Sequence, residues 1–116
     1  MEPGGGPPVM HRHPPGELYH VLEGQFAFYV ADEGGTVRRT TATAGEVVPI
    51  PGGRSHTIRN ESDAVASALV VHAPGEPMER FARAAAALDA PTMADVLELA
   101  TRHGVEMTGP IPSLAG

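Results

Sequence analysis

The chain has 116 residues, of which 41% are hydrophobic, so it is long enough for one compact domain with a core and too short for two domains of ordinary size. Its net charge is −6, and its eight basic residues are all arginines, scattered singly or as one pair, a pattern that argues against a nucleic-acid-binding surface. The absence of cysteine excludes disulfides, thiolate catalysis and cysteine-ligated zinc, so any transition metal requires imidazole and carboxylate ligands.

The N-terminal residues, MEPGGGPP, lack the charged start and the apolar run of a signal peptide. No apolar stretch in the chain approaches membrane-spanning length. We therefore expect a cytoplasmic protein with no membrane partner.

The region from Glu17 to Ala73 has the pattern of a β-domain. Short β-rich runs alternate there with glycine, proline and aspartate, and helical signals are missing. The predicted strands are Glu17–Glu23, Gln25–Val30, Thr36–Ala42, Glu46–Ile50, Ser55–Arg59 and Ala64–His72.

Two helices are predicted after Pro74. The first has Pro77 in its first turn and one apolar face. The second has Thr92 as N-cap, Asp95 three residues later, and Gly104 as its end. The tail from residue 106 to 116 is broken by proline and glycine and is expected to be extended. The apolar faces consist of Met78, Phe81, Ala82, Ala85 and Leu88 in the first helix, and of Met93, Val96, Leu97 and Ala100 in the second.

A cluster of potential metal ligands precedes the first predicted strand. In a strand, His11, His13 and Glu17 would share one face because side chains two apart point the same way. The intervening Pro14-Pro15-Gly16 cannot continue a regular central strand, so it is expected to form a loop or bulge that re-aims Glu17. His56 follows a tight glycine-rich turn and is the candidate for a fourth ligand.

These residues carry a resemblance to the cupin superfamily. The first cupin motif matches Gly5, His11, His13, Glu17 and Gly24, and the second matches Gly45, Pro51, Gly53, His56 and Asn60. The segment YHVLEG at residues 19–24 and the C-terminal region look similar to bacterial single-domain cupins described as quercetin-dioxygenase-like.

The resemblance implies a mainly β, double-stranded β-helix (jelly-roll) barrel over residues 1–73. Residues 74–116 would form an extension with two short helices, packed on the barrel or on a dimer partner. Carried over position by position, His11, His13, Glu17 and His56 would hold one divalent transition metal in the barrel mouth. Iron, manganese, nickel, copper, cobalt and zinc all suit this ligand set. The alternative is a polar rim around a barrel that has lost its metal.

Other residues receive weaker assignments. Tyr19 and Asn60 share the face of the ligands, where they would line the pocket, bond to a ligand or serve a structural role. Phe26 and Phe28 are expected in the barrel core with an added role in substrate contact, and Arg54 would hold a substrate carboxylate or phenolate unless it is a free surface group. His20 has the opposite parity to Glu17 and is expected to face outward or into an interface. His72 and His103 are expected to be structural or surface groups.

The implied function is that of a metal-dependent enzyme on a small organic substrate, aromatic or enolic. A quercetinase-like dioxygenase is preferred, with Glu17 also serving as the base that deprotonates a substrate hydroxyl. The alternatives are a non-oxidative enzyme, such as a polyketide cyclase, isomerase or decarboxylase, and a non-catalytic ligand-binding cupin. Similar cupins carry additional strands before the first motif, so we expect either a shortened form or a homodimer whose partner covers the exposed edge.

Overall fold

The structure is a computed structural model that describes residues 1–114. Strands dominate it, and the predicted mainly β fold with two helices is confirmed. The elements are β1 (Val9–Arg12), β2 (Gly16–Glu23), β3 (Gln25–Ala31), β4 (Val37–Thr43), β5 (Val47–Ile50), β6 (His56–Arg59), β7 (Ser67–Ala73), α1 (Glu76–Ala86), α2 (Met93–Arg102) and β8 (Glu106–Pro110).

Two antiparallel sheets face each other in a jelly-roll arrangement. One has the strand order β4-β3-β6-β1-β8, and the other has the order β5-β2-β7. The core lies between them because alternate side chains of each strand point inward. Phe26 and Phe28 belong to this inward set, whereas Ala27 and Tyr29 pack against Met10 on the other face of the larger sheet. The buried core consists of Tyr19, Val21, Phe26, Phe28, Ala42, Ile50, Ile58 and Ala66.

The C-terminal extension contributes a strand as well as the two helices. The tail predicted to be merely extended contains β8, which pairs with β1 and places Met107 opposite His11. An ion pair between Arg12 and Glu106, at 2.8 Å, lies at the end of this ladder. The extension therefore completes the sheet that carries His11, while residues 115 and 116 of the predicted tail lie outside the described residues.

The two helices begin as the sequence predicts. Pro77 lies in the first turn of α1, and the backbone nitrogen of Asp95 in α2 donates to the Thr92 hydroxyl over 3.2 Å. The Asp95 carboxylate in turn accepts a hydrogen bond from the Thr92 backbone nitrogen at 2.8 Å, which completes a capping box. Within residues 1–114, neither helix is long and apolar enough to cross a membrane.

A close backbone contact joins the loops of the two sequence motifs. The backbone nitrogen of Gly53 donates to the carbonyl of His13 over 2.9 Å. At Gly52, a Cβ atom would lie 2.2 Å from the carbonyl oxygen of Pro14, so only glycine fits at this position. This contact fixes the turn that precedes His56 against the loop that joins His13 to Glu17.

Candidate metal centre

Three imidazoles converge at one end of the space between the sheets. His11 in β1 lies directly opposite His56 in β6, and their ring centroids are 4.6 Å apart. His13 follows the end of β1, with its ring centroid 5.1 Å from that of His56. One ring nitrogen from each of the three lies within 4.8 Å of the others, so one metal ion can contact all three.

In each of the three rings, Nδ1 is hydrogen-bonded to a backbone carbonyl oxygen. Nδ1 of His11 bonds to the oxygen of Val9 at 3.2 Å, and Nδ1 of His13 bonds to that of Pro15 at 2.9 Å. Nδ1 of His56 likewise donates to the backbone oxygen two residues before it, at 2.9 Å. Each carbonyl thereby orients its ring and leaves Nε2 as the ligating atom, the arrangement that metal-binding histidines commonly show.

Glu17 enters the cluster from the facing sheet. Its Oε1 lies 2.9 Å from Nε2 of His13, and its Oε2 lies 3.3 Å from Nε2 of His56. Glu17 Oε2 and His56 Nε2 are buried, and neither has a hydrogen-bond partner among the described residues. Buried polar atoms are rarely left unpaired, and a carboxylate oxygen beside three imidazole nitrogens is a donor set suited to a divalent transition metal. The residues present therefore fit such an ion.

His72 also contacts this cluster, a contact that the expectation of a structural or surface group did not include. Its Nε2 lies 3.0 Å from Oε1 of Glu17. The two residues are direct partners in the pairing of β2 with β7, and both side chains point between the sheets. The sequence of β7, SALVVHA, has no alternation of polar and apolar residues, so no local pattern indicated which residue His72 faces.

The buried charges perturb one another strongly. Burial, followed by the neighbouring His56, lowers the pKa of His11 from 6.5 to about 4. Burial acts to lower the pKa of His13, but the hydrogen bond and charge of Glu17 outweigh it and raise that pKa. Burial acts to raise the pKa of Glu17, but the adjacent His13 and His56 hold it well below its ordinary value. Glu17 is therefore a carboxylate and His11 is neutral at pH 7.

A cavity of about 310 Å³ opens beside the cluster. One wall is polar and contains His11, His13, Glu17, Tyr19 and His72. The rest of the lining is apolar and comes chiefly from the two helices and from the strand after them, whose Met107 lies beside His11. The apolar lining residues are Pro7, Met78, Phe81, Met93, Val96, Leu97, Ala100, Val105 and Met107. The apolar helix faces predicted from the sequence thus contribute to covering the metal centre.

The residues expected to line a substrate pocket have different locations. Tyr19 lines the cavity, and burial followed by the charge of Glu17 raises its pKa, so it remains a neutral phenol. Phe26 and Phe28 lie in the core, where the ring of Phe28 meets that of Tyr19 edge-on at 5.3 Å. Arg54 pairs with Glu33 at 3.3 Å. Phe26, Phe28 and Arg54 are not among the described residues that line the cavity.

Three further polar residues lie away from the cavity. Asn60 is buried and donates to the carbonyls of Met1 and Ala64, so it secures the chain around the end of β6. His20 lies on the outer face of the smaller sheet, opposite in parity to Glu17 as expected. His103 caps the C-terminal end of α2.

Comparisons with known proteins agree with this architecture. The family described as "Cupin domain" matches residues 1–72. No curated protein matches the chain significantly. Among solved structures, TT1209 from Thermus thermophilus is 28% identical with a TM-score of 0.53, over 62% of this chain and 64% of that one. A cupin-superfamily sugar phosphate isomerase from Silicibacter pomeroyi is 28% identical with a TM-score of 0.51. The match covers 62% of this chain and 45% of that one.

A mutant of the oxalate decarboxylase OxdC from Bacillus subtilis shares the fold at 24% identity. Its TM-score is 0.55, over 62% of this chain and 19% of that one. The present chain therefore spans less than two thirds of the length of each of these three structures.

Proposed function

The chain belongs to the cupin family, and from this premise we propose that it is a metal-dependent enzyme acting on a small, largely apolar organic substrate by quercetinase-like dioxygenation. The observation that carries the proposal is the convergence of His11, His13 and His56, with Glu17 in contact with two of them, beside a largely apolar cavity. Iron, manganese, nickel, copper, cobalt or zinc on this donor set would supply Lewis-acid or electron-transfer chemistry to substrate oxygen atoms.

The residues of the chain divide the remaining tasks. The three imidazoles would hold the ion, and Glu17 would both complete the ligand set and accept the proton of a substrate hydroxyl. Glu17 borders the cavity and is ionised, so it has a free lone pair near the substrate, although its lowered pKa makes it a weak base on its own. Tyr19, which stays protonated, would donate a hydrogen bond to a substrate oxygen. The apolar wall would exclude water from the reacting atoms.

The cavity wall supports an aromatic or enolic substrate. None of the described lining residues is an arginine or lysine. Oxalate and sugar phosphates, which appear in the names of the structural relatives, carry negative charges, and here only the proposed divalent ion, with no arginine or lysine in the described lining beside it, would balance them. A planar, apolar molecule with two adjacent oxygen atoms matches a cavity with one polar wall and an otherwise apolar lining.

Three methionines support a second candidate, a non-oxidative cyclase, isomerase or decarboxylase on the same site. Met78, Met93 and Met107 all line the cavity. Thioethers are readily oxidised to sulfoxides, which would make the wall polar during repeated turnover with oxygen. A reaction that consumes no oxygen would leave the three methionine thioethers unoxidised.

Metal content is the first test. Protein purified without added metal should contain close to one transition-metal ion per chain by elemental analysis. His56→Ala should lose the ion because it removes one of the three convergent imidazoles, whereas His20→Ala, on the outer face, should retain it. Metal-free protein that takes up none of the six metals would refute the site, and equal loss in both variants would refute the ligand assignment.

Oxygen uptake separates the two candidate reactions. Metal-loaded protein should consume oxygen with a flavonol or a related enediol, and His56→Ala should not. Conversion of the enediol without oxygen uptake would favour the non-oxidative candidate. Tight binding without turnover of any compound would instead identify a ligand-binding cupin.

The outer face of the smaller sheet supports the proposal of a homodimer. Five apolar side chains on this face are 38–58% exposed: Leu18, Leu22, Val47, Leu69 and Val71. Together they present roughly 400 Å² per copy, so two faces packed together would bury about 800 Å² from these side chains, and their neighbours would supply the rest of the area of a specific interface, about 1,000 Å². A second copy is the occupant we propose, because it offers the same five apolar side chains, none of which carries a charge.

Light scattering coupled to size-exclusion chromatography tests the dimer. Wild-type protein should have the mass of a dimer, and Leu69→Glu should be a monomer because it places a charge on the proposed apolar interface. Val65→Glu is the matched control, since Val65 is 46% exposed but lies outside the sheet. A monomeric wild type, or a dimeric Leu69→Glu, would refute the assignment.

A further inference from the structure

We infer that His72 is a positioning residue that holds one oxygen of Glu17 so that the other is presented to the metal. The inference rests on the proposed metal-dependent function and adds a residue outside the ligand set. His72 Nε2 lies 3.0 Å from Glu17 Oε1, whereas Glu17 Oε2 is buried without a hydrogen-bond partner among the described residues. The two oxygens of one carboxylate are therefore in different environments.

The hydrogen bonds of His13 explain why a second donor is needed. Oε1 of Glu17 is within hydrogen-bond distance of both His13 and His72. The Nδ1 atom of His13 already bonds to the carbonyl of Pro15. When Nε2 of His13 serves as a metal ligand it carries no proton, so it can no longer donate to Oε1. His72 is then the remaining imidazole donor for that oxygen.

Loss of this donor would change how the carboxylate binds. A buried carboxylate oxygen without a partner is unfavourable, so Glu17 would rotate, or bind through both oxygens. With His72 in place, Oε1 of Glu17 accepts its hydrogen bond. Only Oε2, which lies beside His56, is then available to bind the metal. Outer residues of this kind typically change metal affinity by about 10- to 100-fold when removed.

The backbone supports a positioning role over a ligand role. Glu17 and His72 are direct partners in the β2–β7 ladder, so their separation is fixed by the sheet. Both Glu17 and His72 lie outside the group of three convergent imidazoles formed by His11, His13 and His56, and the hydrogen-bond partner of His72 Nε2 is Glu17 Oε1. His72 thus reaches the metal centre through Glu17.

The test compares three substitutions of His72 by chelator-competition titration of Co²⁺. His72→Ala removes the donor and should weaken Co²⁺ binding about 10- to 100-fold. His72→Gln places an amide N–H near the position of Nε2 and should restore affinity to within about threefold of wild type. His72→Asn is too short to reach Oε1 and should resemble His72→Ala. His20→Ala is the matched histidine control and should bind as the wild type does.

The visible absorption of bound Co²⁺ provides the second measurement. The spectra of His72→Ala and His72→Asn should differ from the wild-type spectrum because the carboxylate changes its binding mode, and that of His72→Gln should not. If His72→Ala fails to fold, the comparison of the glutamine and asparagine variants decides. Equal affinity and equal spectra in all variants would overturn this inference alone. Failure of the wild type to bind metal would overturn the proposed function and this inference with it.

Discussion

The depressed pKa of His11 makes the stability of the metal-free protein sensitive to mild acid. In the folded state this pKa is about 4, whereas in the unfolded chain it returns to about 6.5. Between these values the unfolded chain binds a proton that the folded protein does not, so the contribution of His11 is present above pH 6.5 and lost as the pH falls toward 4. The lost stability is roughly 2 kcal/mol between pH 7 and pH 5.

The assay is urea unfolding of metal-free protein at pH 7 and pH 5, compared between the wild type and His11→Asn. Asparagine cannot titrate. Its side-chain amide can still donate a hydrogen bond to the carbonyl oxygen of Val9, which is the partner of His11 Nδ1 in the wild type. Between pH 7 and pH 5, the free energy of unfolding should therefore fall about 2 kcal/mol less in His11→Asn than in the wild type. Identical pH dependence in the two proteins would refute the conclusion that His11 is buried in its neutral form.

Three further substitutions test the packing that supports the site. Phe28→Ala should lower the free energy of unfolding by about 3–5 kcal/mol in urea, because Phe28 is fully buried in the core; a loss below about 1 kcal/mol would contradict that burial. Gly52→Ala should destabilise by about 1–3 kcal/mol and weaken Co²⁺ binding, because the new Cβ meets the carbonyl of Pro14 between the two motif loops; unchanged affinity would show that the loops move independently. Thr92→Ala should reduce stability by about 1 kcal/mol in thermal unfolding through loss of the α2 cap, without changing Co²⁺ affinity.

The sequence predicted best what local patterns determine. Alternating apolar runs between glycine and proline predicted the strands from β2 to β7, and the spacing of Thr92 and Asp95 predicted the start of α2. The motif spacing likewise brought His11, His13 and His56 to one point, because His11 and His56 lie on paired strands and His13 follows directly after β1. Their role as ligands remains a prediction.

The sequence was less informative wherever distant segments meet. Glu17 and His72 are separated by 55 positions, and the Arg12–Glu106 pair by 94. Such contacts depend on strand register between segments, which no local pattern specifies. The same limit applies to Phe28, because alternation shows that it shares a face with Phe26 but not whether that face borders the core or the cavity.

The position of β8 explains how the helices can shape the cavity without supplying a ligand. The chain leaves the smaller sheet at β7, where His72 contacts Glu17, and returns to the larger sheet at β8, which pairs with the strand of His11. The helices are therefore anchored on both sides of the metal centre. Because the proposed ligands lie in the sheets and in the loop after β1, substitutions at Phe81 or Leu97 should alter substrate preference while metal affinity stays constant. Oxygen uptake and Co²⁺ titration of Phe81→Ala test this, and a parallel loss of metal would show that the helices also support the ligands.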